Sequence, residues 1–249
     1  MTEKYIGYFR LVDACGGPGC PVCAYLEEDS RRQLAILFDE HVTDVATRRR
    51  LRASWGVCSW HTWMVRDTRP TATGVAIVYE DLLRICQQRL EVRADPRRRP
   101  GAGLRHWLRG IVKRRSRGTR PDPVVEYRER PRCALCAQLR LTEAHCLDAV
   151  LRFAHDPDFE RAYQRSAGLC VPHLLGAVER GSGTPGSVTI VERTLAKWQA
   201  VRDDLGRFVA KHEYRNADAI SPEEARAYEV ALEILAGRRS LFGNDMRRD

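Results

Sequence analysis

The sequence has no long apolar run. Residues Met1–Leu11 contain no stretch of signal-peptide or membrane-span length, and nothing later is long enough to cross a bilayer. A reducing cytoplasmic setting is therefore expected, where nine cysteines serve as thiols and metal ligands rather than disulfides. Strand-type alternation is missing too, so the expected fold is all-α. No paired carboxylates, phosphate loop or nucleophile–base set stands at a recognisable spacing, so no catalytic residue is assigned.

Net positive charge is missing outside one stretch. The formal net charge is +9, yet residues 93–120 hold eleven Lys/Arg against the single acid Asp95. The remainder is nearly balanced, so the basic character belongs to one joining segment.

What the sequence does contain is a repeated four-residue signature. Cys20-Pro-Val-Cys23 is followed by Cys58-Ser-Trp-His61, and Cys133-Ala-Leu-Cys136 by Cys170-Val-Pro-His173. The intervals are almost equal, 34 residues between Cys23 and Cys58 and 33 between Cys136 and Cys170. Three thiolates and one imidazole make a standard tetrahedral shell for structural zinc. Each half is expected to close its own cage, Cys20, Cys23, Cys58 and His61 in one and Cys133, Cys136, Cys170 and His173 in the other. Two Zn2+ ions are the expected cofactors, with an iron–sulfur cluster on the same ligands as the alternative. A dithiol redox centre expects a βαβ context that is missing here. Haem attachment is excluded because Ala24 and Ala137, not histidine, follow the second cysteines.

Matched residues continue beyond the ligands. Asp44 and Asp156 stand fourteen before the third cysteine of each set, and Gly56 and Gly168 stand two before it. Gly74 and Gly186 follow each histidine by thirteen residues, and Glu80 and Glu192 by nineteen. An internal duplication is the economical explanation. Helices are expected over Ala24–Phe38, about Asp44–Ala53 with Val45 and Leu51 inward, from Cys58 toward Arg66, and over Gly74–Val92. Ser221-Pro-Glu-Glu224 reads as a capping box opening a helix that Gly237 closes. Glu80 and Glu192 are candidates to orient His61 and His173, or else ordinary surface glutamates. Cys15 reads as a spare thiol, with exchange for Cys20 as a ligand the alternative, and Cys86 and Cys146 read as small core residues.

The basic segment carries a weaker pattern. Leu104, Trp107, Leu108, Ile111 and Val112 form an apolar stripe at helical spacing. Arg97, Arg98, Arg99, Arg105, Trp107, Arg109, Lys113, Arg114 and Arg115 are the candidate contacts for a partner. A protein groove, nucleic-acid phosphates and a peripheral membrane surface all suit such a helix, as does docking on the protein itself.

Several runs resemble one family. They are Cys20-Pro-Val-Cys23, the Leu51-Arg-Ala-Ser-Trp-Gly-Val-Cys58 run ending at His61, Tyr79-Glu80-Asp81-Leu82, and Ser166-Ala-Gly-Leu-Cys170-Val-Pro-His173. Lys211-His-Glu-Tyr214-Arg and Leu235-Ala-Gly237 are similar to its C-terminal part. The family is an uncharacterised bacterial one of duplicated, cysteine-rich helical proteins, known as a domain of unknown function. Ala134 departs from the proline usual after the first cysteine of the second pair. The resemblance implies the fold and the metal ligands, and no activity.

The expected organisation is thus a first Cys3His helical repeat over 1–92 and a basic linker over 93–130. A second repeat over 131–213 and a C-terminal helix and tail over 214–249 complete it. The expected role is a zinc-binding scaffold or regulator that meets an anionic partner through the linker.

Overall fold

Eleven helices and no strand make up the described part of the computed structural model, which comprises residues 3–68, 70–94, 122–212 and 219–242. Five lie before the basic segment: α1 (Ile6–Ala14), α2 (Pro21–Asp39), α3 (Val45–Ala53), α4 (Ser59–Thr68) and α5 (Ala72–Ala94). Six follow it: α6 (Pro123–Arg128), α7 (Ala134–Arg152), α8 (Pro157–Arg165), α9 (Val171–Arg180), α10 (Pro185–Lys211) and α11 (Pro222–Ala236). None is long and apolar enough to cross a membrane. The stripe from Leu104 to Val112 and the candidate contacts Arg97 to Arg115 lie outside the described residues.

Local chemistry explains the helix starts. Asp44 accepts from the Thr47 amide to open α3, and Asp156 accepts from the Asp158 and Phe159 amides to open α8, with Pro157 in its first turn. Ser221 and Glu224 form the expected reciprocal box at α11, and Gly237, at φ 72°, ends that helix. One expected face is wrong. Val45 is 69% exposed, and Thr47 is buried with Leu51 instead. Positions six apart point to different sides of a helix, whereas Thr47 and Leu51 are four apart and share one.

The helix lengths repeat along the chain. α2, α3 and α4 have 19, 9 and 10 residues, as do α7, α8 and α9. Their packing, however, mixes the two series. α2 lies along α7, and α1 packs on α2, α7 and α8. Tyr8 of α1 stacks obliquely on Phe153 with ring centroids 4.6 Å apart and donates its hydroxyl to Asp156. Arg238, beyond α11, ion-pairs with Glu27 of α2 at 2.7 Å. The core, with Tyr8, Phe38, Phe153, Phe159 and Tyr163 buried, is therefore continuous across both series.

Two glycines set how closely the long helices approach. A Cβ on Gly74 would sit 1.8 Å from the Phe38 carbonyl oxygen, and one on Gly186 would sit 2.2 Å from that of Leu151. In both places the first turn of a long helix presses on the end of α2 or α7. The obstacle is backbone, so it cannot swing aside. Replacing either glycine by alanine should cost about 1–3 kcal/mol, lowering the melting temperature by about 2–12 °C. Thermal melts of metal-replete Gly74→Ala and Gly186→Ala check this, and an unchanged midpoint would contradict the packing.

Candidate metal centres

The four ligand pairs all sit at helix beginnings. Cys20, Cys133 and Cys170 are the residues that cap α2, α7 and α9, and Cys58 immediately precedes α4. The free amides and positive dipole end of a helix start favour thiolate over thiol. Pro21 and Pro172 fall in first turns, where their missing N–H costs nothing. Gly56 (φ 96°) and Gly168 (φ 81°) occupy the left-handed region two residues ahead of Cys58 and Cys170, turning the chain into each ligand helix. Neighbouring helices hold these turns. Lys197 of α10 donates to the carbonyls of Gln164 and Ser166, and Trp198 donates to that of Leu169. In the first series Arg52 of α3 grips Asp81 of α5 with two hydrogen bonds. Asp81 stays ionised down to a pKa of about 2, held there by Arg52 and Arg48 against its burial.

All eight sequence-derived ligands come together in two groups of four, but the pairing is crosswise. One group is Cys20, Cys23, Cys170 and His173; the other is Cys58, His61, Cys133 and Cys136. The expectation that each half closes its own cage is thereby corrected. The reason lies on α7. Glu143 of that helix stands beside His173, with Oε1 3.3 Å from Nε2. Glu143 is seven residues past Cys136, roughly 10 Å along the helix axis. α9 thus begins too far along α7 to share an ion with the cysteines at its start. It faces the start of α2 instead.

The donor atoms have the spacing of a single-ion shell. In the first group, His173 Nδ1 lies 3.4 Å from Cys20 Sγ, 3.4 Å from Cys23 Sγ and 3.3 Å from Cys170 Sγ. Cys23 and Cys170 sulfurs are 3.7 Å apart. In the second, His61 Nδ1 lies 3.2 Å from Cys58 Sγ, 3.5 Å from Cys136 Sγ and 3.7 Å from Cys133 Sγ, and the Cys58 and Cys136 sulfurs are 3.5 Å apart. Zinc bonds of about 2.3 Å to sulfur and about 2.0–2.1 Å to nitrogen give a tetrahedron with edges of roughly 3.8 and 3.6 Å. The residues present fit such an ion.

Electrostatics point the same way. Burial opposes charge on Cys20, yet hydrogen bonds with Cys170 and Cys23 and the nearby His173 hold its pKa well below the ordinary thiol value. Cys136 and Cys58, followed by His61, depress Cys133 in the same manner. Adjacent sulfurs push Cys23 and Cys136 upward, because further negative charge in a dry pocket is unfavourable. A bound cation removes that conflict and lets all three thiols ionise. Cys15 stands apart: its sulfur is not among the four donors of the neighbouring group, and burial pushes its thiol up to about 12. Cys146 is buried and raised by the same cause, while Cys86 is only half-buried.

The two centres have different surroundings. At the first, the Arg238 amide meets Cys23 Sγ at 3.5 Å and the Phe242 ring lies 5.1 Å from the His173 ring. The chain after α11 therefore covers this centre. Nε2 of both His61 and His173 is buried without a well-formed hydrogen bond among the described residues, and at His173 the Glu143 carboxylate stands 3.3 Å away. Glu80 and Glu192 are exposed on α5 and α10, and the carboxylate beside a ligand histidine is Glu143. No comparison of halves could have found it, because the residue ten beyond Cys20, as Glu143 is ten beyond Cys133, is Ser30, bonded to the Leu26 carbonyl. A carboxylate behind a ligating imidazole fixes its orientation and strengthens its donor nitrogen. Glu143→Gln should weaken metal at that centre about 10- to 100-fold and leave the other unchanged. Competition with a graded chelator, read as two release steps, checks this; equal release of both ions would count against the role.

No curated protein and no solved structure matches the chain. A family model does match residues 5–239, and the chain belongs to that family, the family of unknown function DUF6062.

Proposed function

We propose that the chain is a zinc-stapled helical scaffold of a regulatory or interaction kind. Its two structural Cys3His ions fix the helix arrangement, and its basic stretch 93–120 meets an anionic protein or nucleic-acid partner. The observation that carries the reading is the set of donor separations, 3.2–3.7 Å within each group. Such short edges suit four donors on one ion better than ligands distributed over several irons of a cluster. Four protein donors also leave no open position for a reacting water, which favours a structural over a catalytic ion.

Elemental analysis of protein purified without air tests the metal. Two zinc ions per chain and a colourless solution are expected; stoichiometric iron with visible absorption would overturn the assignment. The partner surface is tested separately. Deleting 97–117 should leave metal content intact and abolish capture of the anionic partner, and unchanged capture would remove the linker from the account.

A further inference from the structure

A cleft of about 1430 Å³ opens beside Cys58, the most exposed of the eight ligands, at 9%. Its walls combine two classes of side chain. Trp55, Trp60 and Trp63 line it from the turn before α4 and from α4 itself, and Tyr127 of α6 joins them. Arginines 31, 66, 130, 238 and 239 supply positive charge against only Glu27 and Asp67. Glu27 is already shared between Arg31 and Arg238, 2.7 Å from each. Arg130 donates to the Tyr127 carbonyl and lies over that ring at 4.2 Å, without a carboxylate partner among the described residues. Arg239 is exposed and likewise has none among them. The lining thus carries a surplus of three positive charges, and a concave wall of one sign focuses its field on anions.

The aromatic half of the lining is not required by the metal fold. At the same offsets from Cys170 as the three tryptophans from Cys58 stand Ala167, Pro172 and Leu175, which serve an equivalent turn and helix. Trp63 is 63% exposed and Tyr127 49%, a large outlay of aromatic surface for water to cover. Trp55 occupies the left-handed region at φ 58°, a conformation that costs a bulky residue about 1–3 kcal/mol. Tyr127, edge-on at 5.4 Å, and Arg89, 4.7 Å above the ring, hold it there. Strain, exposed rings and unpaired arginines converge on a single wall.

We propose that this cleft binds a nucleoside phosphate, its base stacked on the exposed tryptophan face and its phosphates met by Arg130 and Arg239. Planar guanidinium groups match phosphate oxygens in pairs, and indole faces stack on any base. The volume exceeds that of an ordinary small-molecule pocket, so a mononucleotide enters without displacing protein. The site is independent of which metal the neighbouring centre holds.

The test is a titration of the metal-replete full chain with ATP, read by tryptophan fluorescence and calorimetry. Adenosine and inorganic pyrophosphate serve as half-ligands. ATP should quench the fluorescence and bind at least about ten times tighter than either half-ligand. Trp63→Ala should weaken ATP about 5- to 150-fold, the range of one lost stacking contact. Arg239→Ala should weaken it about 5- to 10-fold. Both side chains are exposed, and retention of the full metal content shows that the variants are folded. The chain lacking 97–117 should bind ATP as the intact one does. The proposal is overturned if no binding occurs at about 1 mM ATP, the weak end of specific affinity. It is equally overturned if neither substitution changes the affinity, if deleting 97–117 removes it, or if only a single-stranded oligonucleotide binds.

Discussion

Removing both metals with a chelator at neutral pH will abolish the cooperative thermal transition of this protein and much of its helical circular dichroism. The expectation rests on relative size. A structural zinc contributes roughly 10–16 kcal/mol of apparent folding energy in small metal domains, while a whole domain is stable by only about 5–15 kcal/mol. The metal-free groups are worse than neutral. Each crowds three buried sulfurs and an imidazole within 4.8 Å, where ionisation of one thiol hinders the next. Re-adding zinc should restore the transition, since the ligands are undamaged. A metal-free protein that melts as sharply and as high as the replete one would show that the apolar core suffices alone.

Cutting the chain within 95–121 will leave one particle while the metals remain, and chelation will then let the pieces part. In the crosswise arrangement each four-residue group takes two of its donors from either side of the cut. Apolar and polar contacts cross the same boundary: Tyr8 on Phe153, Lys4 paired with Asp158 at 2.7 Å, and Arg238 with Glu27. Losing the covalent tether costs only the effective concentration it supplied, which two ions of the size given above outweigh. An inserted protease site followed by size-exclusion chromatography, with and without chelator, reads the outcome. Pieces that separate with one metal each would contradict the arrangement.

Much of this centre was legible in the sequence, and its failures have definite causes. The eight ligands announced themselves by type and interval, because thiolate and imidazole are rarely spaced so regularly without an ion. Asp44, Asp156 and Ser221 marked helix starts through local hydrogen bonds that need no tertiary knowledge. Gly74 and Gly186 were visible as a matched pair, though only the structure shows the carbonyls pressed against them. The pairing was not legible, since either choice joins the same residue types. Nearness along the chain is a weak guide. Cys23 and Cys170 are 147 residues apart, about four times the separation of Cys23 from Cys58. Two doublings of loop length cost only about 1.2 kcal/mol, far below what an ion supplies. The packing of α2 on α7 therefore decides the partners. Glu143 was hidden for the same reason, as its role depends on where α9 begins along α7. The three tryptophans between 55 and 63 gave no sign of a shared wall, because Tyr127 and Arg239 reach it from distant segments.

The most direct test counts metal ions in two doubly substituted chains. Cys20→Ser with Cys170→Ser damages one crosswise centre and leaves Cys58, His61, Cys133 and Cys136 complete; Cys20→Ser with Cys58→Ser damages both. About one ion per chain is expected in the first variant and none in the second. The reverse, none in the first and one in the second, would place each ion within its own half and contradict the crosswise fold.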